Sequence, residues 1–111
     1  MESDRLSNHS ADLLCNPDNR VWASSVSIAE LRIKQSIGKV ALPDDFATLV
    51  DETGFENLPF NASHAHWLSR LALHHRDPFD RMIIAQAIDE GLTIITSDSA
   101  FASYPVSVLK N

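Results

Sequence analysis

Apolar residues follow two rhythms along this chain, helical spacing and short unbroken runs, and the two alternate. Leu6, Ala11, Leu13 and Leu14 predict a short helix over Ser7 to Leu14, after a frayed start at residues 1–4. Asn16-Pro17-Asp18-Asn19 is turn chemistry. Val21-Trp22-Ala23 then predicts a strand from Arg20 to Ser24. Val26, Ile28, Ala29, Leu31, Ile33 and Ile37 form a broad stripe on a following helix, with Gly38 where a glycine cap belongs. Leu42-Pro43 opens another helix with Asp44 and Asp45 in its first turn. Its apolar face is Phe46, Leu49 and Val50, and Gly54 ends it.

The second half repeats the alternation. Phe55 to Phe60 reads as a short strand, and Asn61 as the cap of a helix carrying Ala65, Leu68, Leu71 and Ala72. After the polar link His74-His75-Arg76, Asp77-Pro78 places a cap and a first-turn proline in the order that helices favour. Phe79, Met82, Ile83, Ala87 and Ile88 recur at helical spacing up to Gly91. Leu92 to Thr96 has the β-branched character of a buried parallel strand, and Val106 to Leu109 forms a final one. Strands separated by helices imply an α/β fold with a mostly parallel sheet and a site beyond the carboxyl ends of its strands. No repeat or linker interrupts the 111 residues, so a single domain over 1–111 is expected. Such folds usually open on a strand; this pattern opens on a helix.

Composition narrows the class. Hydrophobic residues make up 44%, enough for a core and incompatible with general disorder. Nine basic against 15 acidic residues give a net charge of −6, so any nucleic-acid contact needs a local basic patch or a metal ion. The same acidity suits a basic protein partner. The one cysteine, Cys15, permits no intrachain disulfide and is expected to be a small buried residue on its helix. With no leader-like or membrane-length apolar run, a cytoplasmic location without membrane contact is expected.

Three carboxylates fall where the predicted elements would gather them. Glu30 follows the first strand, in the first turn of its helix. Asp80 lies in the first turn of the Pro78 helix, and Asp98 lies just past strand Leu92 to Thr96. Clustered carboxylates need a cation or protons to offset them, and hard oxygen donors favour Mg²⁺ or Mn²⁺. Each acid also has a plainer reading. Ser27-Ile28-Ala29-Glu30 matches a capping box, Asp80 would complement the helix dipole, and Asp98 would cap a turn. Arg76 and Arg81 flank Asp80 and are candidates for phosphate, or for pairing with neighbouring acids. The five histidines show no metal-ligand spacing and read as structural. Trp22 and Trp67 read as packing residues.

Several ordered segments resemble VapC-type PIN-domain ribonuclease toxins of type II toxin–antitoxin pairs. They are Val21 to Leu31, Ile33-Lys34 through Gly38-Lys39 and Leu42-Pro43, His75-Arg76-Asp77-Pro78-Phe79-Asp80-Arg81 with Ile83 to Ala87, and Thr96-Ser97-Asp98 with Phe101. The resemblance runs from about Arg5 to Leu109. It implies a three-layer PIN-like fold and a metal-dependent endoribonuclease, a hydrolase that cleaves RNA phosphodiesters with a metal-activated water. It also implies a homodimer blocked by a cognate antitoxin. Carried over residue by residue, Glu30, Asp80 and Asp98 are the catalytic and metal-binding positions, with Asp77 a further metal-binding acid.

One departure qualifies this. The subgroup usually opens with a short apolar strand ending in an aspartate, whereas Asp4-Arg5-Leu6-Ser7 resembles the segment that comes after it. The expectation is a domain N-terminally truncated relative to the family, without the central strand and the first acid. The strands from Arg20 and Leu92 would flank a gap, to be repaired by direct pairing, an altered sheet, a swapped dimer or a partner strand. Two functions follow: a nuclease toxin impaired by the lost acid, or a catalytically inactive PIN-like module that binds an antitoxin or itself.

Overall fold

The computed structural model describes residues 8–72, 77–96 and 98–111. The predicted first turn closes locally: the Asn16 side chain accepts the Asp18 amide at 2.9 Å, and the Asn19 side chain donates to the Leu13 carbonyl at 2.9 Å. It separates α1 (Asn8–Cys15) from β1 (Trp22–Ser24). β1 pairs in parallel with β2 (Glu56–Leu58), Trp22 opposite Glu56 and Ser24 opposite Leu58. Arg20 fastens the start of this pair. Its guanidinium bonds both Glu56 carboxylate oxygens, at 3.0 and 2.8 Å, and lies 4.9 Å over the Trp22 ring.

A second parallel pair joins β3 (Thr93–Thr96) to β4 (Ser107–Lys110), Thr93 opposite Ser107 and Thr96 opposite Lys110. The two pairs are separate sheets, and among the described residues no strand joins them. Among the described residues, the strands after Arg20 and Leu92 do not pair with each other.

α2 (Ser25–Ser36) starts immediately after β1, α3 (Phe46–Glu52) leads to β2, and α4 (Ala62–His66) runs into a 3-10 turn at Trp67–Ser69. The centre of the fold is α5 (Pro78–Glu90). Asp77 caps it, accepting the amides of Phe79 at 2.9 Å and Asp80 at 3.4 Å. Gly91 ends it at φ 67°, a left-handed conformation that glycine adopts without strain. Ile84, Ala85, Gln86 and Ala87 are all buried, so this stretch of α5 is covered on every side. Ile84 packs with Phe101 and Tyr104, and Ile94, Val106 and Val108 of the second strand pair close over that cluster.

Gln86 links α5 to the other pair. It is 1% exposed, its carboxamide N–H donates to the Leu58 carbonyl at 3.1 Å, and its carbonyl accepts the Ser24 hydroxyl. Ser25 donates to the same Leu58 carbonyl at 3.1 Å and accepts the Phe60 amide at 3.2 Å. The carboxyl ends of β1 and β2 are thereby fixed to the middle of α5 by fully satisfied buried polar groups.

Four expectations change. Pro43 begins a turn rather than a helix: its carbonyl accepts the Phe46 amide at 3.1 Å, and Asp45 stands at the N-cap without a side-chain cap bond. The helix after Asn61 stops at His66, leaving Leu68 in the 3-10 turn and Leu71 beyond it. β3 alternates between exposed and half-buried, with Ile95 36% exposed, because the core covers only one of its faces. Cys15 is exposed rather than buried, since it ends α1 at the turn. Among the described residues, no helix is long and apolar enough to cross a membrane.

Candidate functional site

Ser24 makes the first decision about the site. Its hydroxyl accepts the Val26 amide at 3.1 Å, which makes Ser24, not Ser27, the N-cap of α2. The expected capping box at Ser27 is therefore absent, and Glu30 lies in the second turn rather than the first. Released from that task, the Glu30 carboxylate pairs with the Lys34 ammonium one turn further on, at 2.9 Å. Glu30 is 19% exposed at this pair and Lys34 46%.

Lys34 identifies what surrounds Glu30. The Glu30 carboxylate holds the Lys34 ammonium above its ordinary pKa, and the charges of Asp77 and Asp80 act in the same direction. α2 and α5 pack together. The ammonium contacts Glu30 at 2.9 Å, whereas Asp77 and Asp80 act on it through their charge. Asp77 and Asp80 occupy the N-cap and third position of α5, where backbone N–H groups and the helix dipole favour negative charge. The plain roles proposed for both acids, helix cap and dipole complement, are thus filled.

Asp98 lies just past β3. It caps the 3-10 turn Ser99–Ser103, accepting the Ala100 amide at 2.9 Å. Arg81, expected at phosphate, points its guanidinium elsewhere. It donates to the carbonyls of Ala72 at 2.9 Å, Leu68 at 3.1 Å and Leu71 at 3.4 Å, and to the Tyr104 hydroxyl at 3.2 Å. These bonds tie the segment after α4 onto α5, so a phosphate contact would have to break them. Arg76 lies outside the described residues.

Sequence reasoning missed Lys34 as part of the site. The signal was available, because Glu30 and Lys34 are four apart in the order that favours a helical ion pair. Glu30, Asp77 and Asp80 offer hard carboxylate oxygens of the kind that suit Mg²⁺ or Mn²⁺. Among the described residues, however, their ligand atoms do not all lie within 4.8 Å of one another, so the arrangement is not a closed metal site.

A second group of acids has a different explanation. Ligand atoms of His64, Asp89 and Glu90 lie within 4.8 Å of one another. His64 is fully buried, its Nδ1 accepts the Asn61 amide at 3.1 Å, and its Nε2 faces Glu90 at 2.8 Å. Nδ1 therefore carries no proton, and Nε2 donates one to Glu90. A ligating histidine needs the reverse arrangement, with its second nitrogen donating outward. The Asn61 carboxamide accepts the His64 amide at 3.0 Å and completes a capping box, with histidine in the place usually taken by Glu or Gln. His64 is thus structural, as its lack of ligand spacing suggested.

Parallel strand pairs, a central helix and acids collected at its capped start define an α/β domain with an acidic site at a helix N-terminus. The chain belongs to the PIN domain family, whose profile matches residues 2–106. Comparison with curated proteins finds no relative. Among solved structures, the chain is similar to one in the crystal structure of VapBC2 from Rickettsia felis bound to a DNA fragment from their promoter. The TM-score is 0.70 at 20% identity, covering 93% of this chain and 82% of that one. The likeness establishes a PIN-like α/β fold.

Proposed function

We propose that this protein is the VapC-type toxin of a type II toxin–antitoxin pair, a metal-dependent endoribonuclease. The observation that carries this reading is membership of the PIN family, in a chain that places Asp77 and Asp80 at the start of α5 and Glu30 on the helix packed against it. Glu30 and Asp80 are read as metal-binding and catalytic, Asp77 as a further metal-binding acid, and Asp98 as the last acidic position. The bound ion would supply an activated water and offset charge on the phosphate. Ser24, Ser25 and Gln86 hold the strand ends behind these acids. A cognate antitoxin is the proposed partner, in keeping with the VapBC2 assembly of the similar structure. A homodimer and a cytoplasmic location complete the proposal.

Asp98 is engaged in capping the turn after β3, so slow cleavage is expected of the arrangement described. The separation of the two sheets supports the second reading, an inactive PIN-like module that binds an antitoxin or itself. Incubation with structured RNA and Mn²⁺ or Mg²⁺ distinguishes the two. The nuclease reading expects chelator-sensitive cleavage that Asp80→Asn lowers at least about a hundredfold. Absence of cleavage together with tight antitoxin binding would establish the inactive module.

A further inference from the structure

Gln86 joins three elements at one buried point, and its carboxamide has one satisfactory orientation there. Ser24 ends β1 and caps α2. Its hydroxyl oxygen accepts the Val26 amide, and its single proton goes to the Gln86 carbonyl oxygen. The Gln86 N–H donates at 3.1 Å to the carbonyl of Leu58, which ends β2 and also accepts the Ser25 hydroxyl. A flipped carboxamide would set its oxygen against the Leu58 carbonyl, and at 1% exposure that mismatch is costly. An apolar side chain of this size would bury as much surface. It would also let α2 slide and turn on α5, whereas hydrogen bonds are directional.

This junction is equally far, along two helices, from two of the proposed catalytic acids. Glu30 lies six residues after Ser24 on α2, Asp80 lies six residues before Gln86 on α5, and the two helices pack together. At about 1.5 Å per residue, each acid is about 9 Å along its helix from the junction. A turn of α2 by about 10° there displaces Glu30 by about 1.5 Å. A misplacement of about 1 Å can cost a reaction about a hundredfold. We propose that Gln86 is a positioning residue: through Ser24 it sets the placement of α2 on α5, and so of Glu30 relative to Asp80. The inference rests on the catalytic reading of those two acids.

The test compares the full wild-type chain with three variants. Gln86→Met removes both hydrogen bonds at similar volume, Ser24→Thr keeps the hydroxyl, and Val108→Ala lowers stability from the β4 side of α5. Ser24→Asp still caps α2 but has no proton for Gln86, and it serves should Gln86→Met fold poorly. Residual dipolar couplings of the backbone amides read the orientation of α2 relative to α5. Steady-state cleavage of RNA with Mn²⁺, well below the thermal midpoints, reads kcat and KM. In Gln86→Met the α2 couplings should no longer fit the alignment frame of α5, and kcat should fall at least about tenfold with KM near its wild-type value. Ser24→Thr and Val108→Ala should keep both the orientation and kcat. An unchanged orientation in Gln86→Met and Ser24→Asp, or a changed one with kcat intact, overturns the inference and leaves the nuclease reading standing. An equal loss of kcat in Val108→Ala does the same, because it traces the loss to stability alone. A wild type that cleaves no RNA overturns the nuclease reading and the inference with it.

Discussion

At the scale of single residues, side chains of similar sequence context have opposite assignments. Asp80 and Arg81 are neighbours in the segment that most resembles the family, but one lies in the first turn of α5, where the helix dipole favours its charge, and the other bonds the segment after α4. Arg81 satisfies three backbone carbonyls and the Tyr104 hydroxyl, a role that neither charge nor spacing could reveal. Arg81→Met is therefore expected to destabilise the protein by about 1–3 kcal/mol, because polar groups at the α5 surface lose a charged donor. The urea midpoint measures this, and any cleavage per folded molecule should be unchanged. A loss of cleavage with the midpoint intact would return Arg81 to the phosphate. Glu30 shows the converse: its position was legible from the motif. Its release from capping duty was not, because that depends on which serine, Ser24 or Ser27, folds as the N-cap.

Elements were more legible than side chains. The order of helices and strands follows from alternating apolar rhythms, and α5 has its boundaries written at Asp77, Pro78 and Gly91. Short elements were less so, since α4 covers only five residues and derives its stability from packing and capping rather than propensity. Its attachment to α5 is polar. Asp89 accepts the Trp67 indole N–H at 3.0 Å and the Ser63 hydroxyl at 2.9 and 3.0 Å. The Trp67 bond above all, then the Ser63 bond, holds the Asp89 carboxyl below its usual range. A carboxyl depressed in the folded state stabilises it above the unfolded pKa of about 3.9, and that contribution disappears as pH falls through the lower folded value. Thermal midpoints of wild type and Asp89→Asn should thus differ by a constant amount above about pH 5 and converge below about pH 4. A difference that persists undiminished to about pH 3 would contradict the role given to this carboxylate.

For the whole molecule, the sequence anticipated the break in the sheet but not how the fold survives it. Direct pairing across the break was one of the repairs considered, and the described residues do not use it. Instead α5 serves both sides, through Gln86 to the ends of β1 and β2, and through Ile84 to the cluster that β3 and β4 close over. Two parallel strands alone make a weak sheet, so each pair depends on the helix more than on its own ladder. The consequence concerns cooperativity. A continuous sheet would spread any local opening across all of its strands, whereas here each pair can detach while the other remains on α5. Native-state hydrogen exchange should then resolve two sub-global openings, one for Trp22–Ser24 with Glu56–Leu58 and one for Thr93–Thr96 with Ser107–Lys110. Amides of Ile84 to Ala87 should exchange only on global unfolding. If all four strands open at one common free energy, the halves are coupled by something other than α5. If they open separately, this small domain behaves as two foldons sharing one helix.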